Sequence, residues 1–360
     1  MKNRRRISNS KSCENPRRDL LSGGMHQMIG TGISIRDPKN MIRAVIKIFA
    51  ALLAVIISVP ESASAKPITL AYNTNSLNVT LPIQVAQELG FFTGEGFEVT
   101  PVYVRSGPTA MTALVSGSAD YAIVGSTTVV QAIAKGIPAV IIGNYLRQVN
   151  WVLMGGAGVT TLNSIKGQVV GVTSAGGMTE FLTIEALARR GLKRDRDYRV
   201  HYAGNSPARV AALEAKIIQA AAFSPGERVV LEPKGFSVLM NMVQVVPEFP
   251  LSILASSRRK LETSATEVEA FLRALHRAME VIRTDKDRAI AAGFKKSSRS
   301  DLANERKALD YLADDYSIVI TKENIQALIY AAGVDAEARK LGGAEKFFAA
   351  EPQARVVSRR

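Results

Sequence analysis

From residue 66 onward the apolar positions switch repeatedly between the two-residue period of strands and the wider period of helices. Ile68 to Tyr72 reads as a β-rich start. Leu81 to Leu89 reads as a helix, with Pro82 in its first turn and Gly90 as its stop. Phe97 to Val104 is a second strand and Pro108 to Val115 a helix ending near Gly117. Tyr121 to Val124, Thr127 to Lys135 and Ala139 to Gly143 then read as strand, helix and strand. This alternation predicts an α/β fold with a largely parallel sheet covered by helices.

The second half repeats the rhythm. Val169 to Val172 is a strand, Met178 to Arg190 a helix, Arg199 to Tyr202 a strand, Pro207 to Ala215 a helix and Ala220 to Phe223 a strand. Leu114 to Ala122 aligns loosely with Leu213 to Ala221: each has a helix end, a tight turn and a strand start. A repeat this long fits two similar lobes rather than a solenoid. From Ser264 the pattern becomes helical. Ser264 with Glu267 predicts a capping box. Val268, Phe271, Leu272, Leu275, Met279 and Ile282 share one helical face. Further helices are expected over residues 301–316 and 321–332, then a short basic tail over 346–360. Amphipathic helices of this kind pack against a core.

Charge modifies this picture only near the start. The net charge is +14, and residues 1–65 alone contribute +7. Arg258-Arg259-Lys260 and Lys295-Lys296 lack interleaved aromatics, so they read as solvated surface and not as a nucleic-acid site. Residues 41–65 read as an export signal. Met41, Arg43 and Lys47 precede an apolar run from Ile48 to Val59, which is too short to span a bilayer, and Ala63-Ser64-Ala65 is a small-x-small cleavage site. Residues 1–40 read as an upstream extension. It holds Cys13, the single cysteine, so a chain processed at Lys66 has no thiol. The expected divisions are 66–150 for the first lobe, 151–250 for the second and 251–345 for the return to the first. Crossovers are expected near 149–155 and 246–254.

Catalytic constellations are scarce. His201 and His276 have no Cys or second His at ligand spacing, so no metal site is expected. Neither a G-x-S-x-G elbow nor a phosphate-binding G-x-x-x-x-G-K loop is present. The informative segments are strand-to-helix turns rich in small polar residues. Residues 171–179, with Ser174, Gly177, Met178 and Thr179, combine hydroxyls and glycines before a helix. Such a turn either caps the helix or offers N–H groups to an anion or polar head group. Ser126-Thr127 is the first-lobe counterpart. Asn75-Ser76, Ser206 and Ser224 lie in similar positions, at strand ends where open α/β sheets bind ligands. Trp151 falls between the lobes, to stack on a ligand or to pack at the hinge.

Several ordered segments carry a resemblance. Leu89-Gly90-Phe91-Phe92 with Glu95-Gly96-Phe97 and Val99 is similar to a segment of the nitrate/sulfonate/taurine family of importer binding proteins. So are Ala113 to Tyr121, Leu162 to Val172, and Arg258 to Leu261 followed by Val268 to Leu275. The resemblance runs from about residue 66 to 335. It implies a type II periplasmic-binding-protein fold, with two lobes of mixed, largely parallel sheets and two hinge crossovers. It places Ser126, Thr127, Ser174, Thr179 and Ser224 near the cleft. It further implies a periplasmic monomer that takes a small-molecule ligand, partners ABC permease subunits, and needs no cofactor or nucleic acid. A small monoanion or a neutral polar ring is the expected ligand. A sensory binding module, or an enzyme on the same fold, is the alternative. Lys216 and Gln219 stand where the family pattern has Gly and Asp, and this departure in the second lobe points to an altered ligand.

Overall fold

The first strand is defined by its apolar residues: Ile68, Leu70 and Ala71 are all buried. Burial on both faces requires helices on both sides of a sheet. The computed structural model describes Ile42 and residues 65–74, 76–246, 249–294 and 299–358. The chain divides into two units, Met1–Ser62 and Ala63–Arg360. Of the first only Ile42 is described, so the expected extension and the apolar run of the export signal lie outside the described residues.

In the second unit the chain runs β1 (Lys66–Tyr72), α1 (Leu77–Glu88), α2 (Phe91–Gly94), β2 (Phe97–Tyr103), α3 (Gly107–Ser116), β3 (Tyr121–Gly125), α4 (Ser126–Ala134) and β4 (Ala139–Leu146). It crosses to β5 (Val152–Gly155), β6 (Val169–Val172), α5 (Met178–Arg189), β7 (Arg199–Tyr202), α6 (Ser206–Glu214), β8 (Ala220–Phe223), α7 (Pro225–Leu231) and β9 (Ser237–Asn241). It returns through β10 (Ser252–Ser257), then α8 (Arg258–Thr263), α9 (Ala265–Thr284), α10 (Lys286–Gly293) and α11 (Arg299–Leu312). The last helices are α12 (Lys322–Ala332), α13 (Asp335–Leu341) and α14 (Glu351–Ser358).

The strands form two five-stranded sheets, ordered β2-β1-β3-β10-β4 and β7-β6-β8-β5-β9. In the first, β1 is parallel to β2 and β3, and β10 is antiparallel to β3 and β4. In the second, β6 is parallel to β7 and β8, and β5 is antiparallel to β8 and β9. The two sheets therefore share one plan, with a single antiparallel strand in the fourth position of each. That strand is the one entered from a crossover, so the same two connections that join the lobes also create the mixed sheets.

The loose repeat in the sequence falls on equivalent turns, α3 to β3 and α6 to β8. In the first, Gly117 has φ +80°, and Asp120 Oδ2 accepts from Thr69 N at 2.8 Å. In the second, Lys216 adopts φ +58°, and Gln219 Oε1 accepts from Val169 N at 3.0 Å. Gln219 thus keeps the bond of Asp120 without its charge. Both residues sit at the amino end of β8, opposite the carboxyl ends of the parallel strands. The departure at Lys216 and Gln219 lies in that turn.

The long helix α9 buries the predicted face: Val268, Phe271, Leu272, Leu275, Met279 and Ile282 are all buried. Phe271 stacks on Tyr121 of β3 with ring centroids 3.9 Å apart. The expected capping box is absent, since Ser264 makes no side-chain cap bond. Glu267 turns instead to Lys260 and Lys66. Lys260 also reaches Asp120 at 2.6 Å, so the carboxylate gains more from two cations than from one N–H. The helix read as starting at Leu81 begins at Leu77 and holds Pro82 inside. The tail expected over 346–360 is largely structured: Phe348 bridges Ile141 of β4, and α14 buries Pro352, Gln353 and Val356.

Candidate ligand cleft

Each lobe presents the carboxyl ends of its parallel strands to the start of a helix, where N–H groups lack intrahelical partners. In the first lobe β3 passes into α4 without a loop, so Ser126 and Thr127 open the helix. In the second, β6 leads through residues 173–177 into α5, β7 through 203–205 into α6, and β8 through Ser224 into α7.

The structure brings Thr127 and Met178 together across the lobes, with the hydroxyl 4.0 Å from the thioether sulfur. Thr179 is buried, and its hydroxyl accepts from Thr173 N at 3.0 Å, so it fixes the turn. Ser174 is exposed, and its Oγ would lie 2.9 Å from a Cβ placed on Gly177. A side chain on Gly177 would have to displace that hydroxyl and would also press on the Ser174 carbonyl at 3.2 Å. Ser126 is buried, and its hydroxyl donates to Pro250 O at 2.6 Å in the second crossover. It therefore ties the first lobe to the hinge.

Ser224 caps α7 in a box with Glu227. Ser206 is the first residue of α6, and the cap there is Asn205, whose side chain accepts from Ala208 N at 3.2 Å. Ser76 occupies the N-cap position of α1, four residues after β1 ends, and its hydroxyl lies 3.0 Å from the Thr74 hydroxyl. Asn75 lies outside the described residues. Trp151 is half-buried in the first crossover, where its carbonyl accepts from Met242 N at 2.9 Å. Its indole nitrogen is buried and has no partner among the described residues.

Four features near these strand ends were missed from the sequence. Glu180, the third residue of α5, is buried. Its carboxylate accepts from Gly176 N at 2.6 Å, Tyr202 Oη at 2.7 Å and Arg194 Nη1 at 2.8 Å. Burial raises its pKa, but these three donors outweigh that and leave it below the ordinary value. An acid at the third helical position already places a negative charge at the α5 N-terminus and holds the N–H of Gly176, just before its cap. The turn at 174–179 is thus less open to an anion than its glycines and hydroxyls suggest.

Tyr103 and Tyr202 end the equivalent outer strands β2 and β7, and both are exposed. Tyr72 packs edge-on to Tyr103 at 5.9 Å. Finally, Arg209 of α6 lies buried beneath the ends of β6, β7 and β8, bonded to Thr173 Oγ1 at 2.9 Å. The visible signals were the tyrosines at strand ends and the glutamate three residues into a helix. Arg209 left no such signal, because a helical arginine normally reads as surface.

Among the described residues no group of three His, Cys, Asp or Glu could hold a metal ion, and no helix is long and apolar enough to cross a membrane. A recess of about 250 Å³, lined by Val229, Glu232, Pro233, Lys307, Asp310 and Tyr311, opens at the far end of α7 from Ser224.

Two lobes with matched mixed sheets, joined by two crossovers, define the type II periplasmic-binding-protein fold. The solved structures agree. The periplasmic aliphatic sulphonate binding protein SsuA of Escherichia coli is 19% identical with a TM-score of 0.62, over 78% of this chain and 90% of that one. The alkanesulfonate-binding protein SsuA of Xanthomonas axonopodis pv. citri, bound to MOPS, is 19% identical with a TM-score of 0.59, over 81% and 97%. A mutant of DszB, in complex with biphenyl-2-sulfinic acid, is 12% identical with a TM-score of 0.59, over 82% and 100%. No curated protein matches by sequence. Residues 78–289, more than half of the chain, match the family described as NMT1/THI5 like. The chain belongs to that family.

Proposed function

We propose that this protein is the extracytoplasmic solute-binding subunit of an ABC importer and not an enzyme. It captures a small anionic or polar organic solute between its lobes. The observation that carries this reading is the approach of Thr127 and Met178, which open helices in opposite lobes at the carboxyl ends of β3 and β6. Lobes linked by two crossovers close on ligand by a hinge motion. Ser76, Thr127, Ser174, Gly177, Met178, Thr179, Ser206 and Ser224 are proposed to lie around the ligand. Ser126 and Trp151 would then report on closure from the hinge. The sulfonate binders among the structural neighbours support a sulfonate, nitrate, carboxylate or pyrimidine-like ligand. The partner would be a membrane permease, the protein a periplasmic monomer.

Trp151 is the single tryptophan, so its emission reads the hinge without interference. Native mass spectrometry of the purified mature chain should reveal a retained small molecule. Titration with sulfonates, nitrate, aromatic carboxylates and pyrimidines should then give a saturable change in Trp151 emission for one class. A chain that carries nothing and responds to none of them would refute the reading.

A further inference from the structure

We infer that Arg209 sets the charge preference of the cleft and acts on the ligand through the Thr173 hydroxyl, an inference that rests on the solute-binding reading above. Arg209 is a positioning residue in this account.

Its guanidinium gathers three strand ends. Nη1 donates to Thr173 Oγ1 at 2.9 Å and to Gly204 O at 3.0 Å, and Nη2 donates to Ala222 O at 3.2 Å. Thr173 follows β6, Gly204 follows β7, and Ala222 lies in β8. The group also lies over the Phe223 ring, 5.4 Å from its centroid. The residue is only 6% exposed, and its Nε is buried without a partner. Among the described residues no carboxylate forms an ion pair with it. The carboxylate of Glu227 acts on it through space, while Glu227 Oε2 accepts from Ser224 N at 2.7 Å.

A buried cation without a contact counter-ion is costly. Two backbone carbonyls and a hydroxyl are acceptors that a neutral side-chain donor would satisfy with less desolvation. The positive charge is therefore explained by something that approaches from the cleft side. Thr173 is the route. A hydroxyl has one hydrogen to give and two lone pairs. Arg209 occupies a lone pair from beneath, and the Thr173 N–H is held by Thr179 Oγ1 at 3.0 Å. The hydroxyl hydrogen is thus turned away from the guanidinium. Thr173 is half-buried, and among the described residues no protein acceptor takes that hydrogen. Polarised by the cation behind it, the hydroxyl becomes a stronger donor. It selects an anionic oxygen over the oxygen of a neutral molecule of the same shape.

The test uses the mature chain, with thermal shift and Trp151 emission as readouts. The anionic probes are methanesulfonate, acetate and nitrate, and dimethyl sulfone is the neutral counterpart of methanesulfonate. At least one anion should bind saturably, and the sulfone should bind at least tenfold more weakly than methanesulfonate. Thr173→Val should cost that anion about ten- to hundredfold in affinity, the size of one hydrogen bond to a charged group. Arg209→Lys should keep the order of anion over sulfone, and Arg209→Met should lose it. Where Arg209→Met does not fold, Thr173→Val and Arg209→Lys decide. Equal binding of sulfone and methanesulfonate, an unaffected Thr173→Val, or no response to any of the three anions overturns the inference. A neutral molecule recovered by native mass spectrometry overturns it while leaving the solute-binding reading intact. A chain that retains nothing and binds nothing overturns both.

Discussion

Replacing Glu180 by glutamine tests the electrostatics of the α5 turn. The carboxylate holds Gly176 N, Tyr202 Oη and Arg194 Nη1 at once. A glutamine keeps the shape, but its amide offers one acceptor oxygen and no charge. Hydrogen bonds to a charged group contribute about 1.5–3 kcal/mol and neutral ones about half as much. A carboxylate in the first turn adds about 0.3–1 kcal/mol. Tyr202 is exposed and the Arg194 side chain is 36% exposed, so water recovers part of what those two partners lose. The expected cost of Glu180→Gln at neutral pH is therefore about 2 kcal/mol.

The sign with pH follows from the lowered pKa of Glu180. The folded state holds the ionised form more tightly than the unfolded state does. This contribution is complete above the ordinary value of 4.5 and is lost as pH falls through the lower folded-state value. Urea unfolding of parent and Glu180→Gln at neutral pH and at progressively more acid pH measures it. The difference should shrink toward zero with acidification. A difference that stays constant with pH, or no difference at neutral pH, would refute the reasoning.

Lys216→Gly should raise stability by about 0.5–1 kcal/mol, because φ +58° costs a side chain more than glycine loses in unfolded-state entropy; chemical denaturation would show the gain. Tyr311→Ala should favour the open lobes, since Arg228 lies 4.4 Å from its ring centroid and joins α7 to α11. A cation–π contact of about 0.5–1 kcal/mol predicts a two- to fivefold loss of ligand affinity with an increased radius of gyration in small-angle scattering. N-terminal sequencing of the exported protein should begin at Lys66, and a product that retains Met41 would contradict the export reading.

Much of the architecture was legible because it rests on local signals. Strands β6, β7 and β8 have the bounds read from their alternation and flanking turns. Gly90 and Gly117 both adopt positive φ beside the helix ends they mark. The capping box at Ser264 failed for a non-local reason. Glu267 lies beside Lys66, 201 residues away in sequence, and no spacing rule sees that pair. Pro82 misled in the other direction. Proline is favoured in a first turn, but α1 gains its first turn from Leu77 to Thr80 because Val79 and Leu81 are buried against the core.

The charge of the cleft was harder to read, for a physical reason that differs between the lobes. A glycine- and hydroxyl-rich turn before a helix has the same appearance whether its N–H groups await a ligand or are already bonded. The discriminating residue is the third of the helix. In α3 and α4 of the first lobe the first turn holds no acid. In α5 and α7 of the second lobe that position is Glu180 and Glu227, and each carboxylate accepts a backbone N–H from the preceding turn. The two lobes therefore share strand order but not electrostatics. In the second lobe the N-termini of α5 and α7 carry their own negative charge, α6 has no acid in its first turn, and the positive charge comes from Arg209 beneath the strand ends. The acids were visible three residues into each helix. The buried arginine was not, because its partners Thr173, Gly204 and Ala222 come together only when three strands are laid side by side.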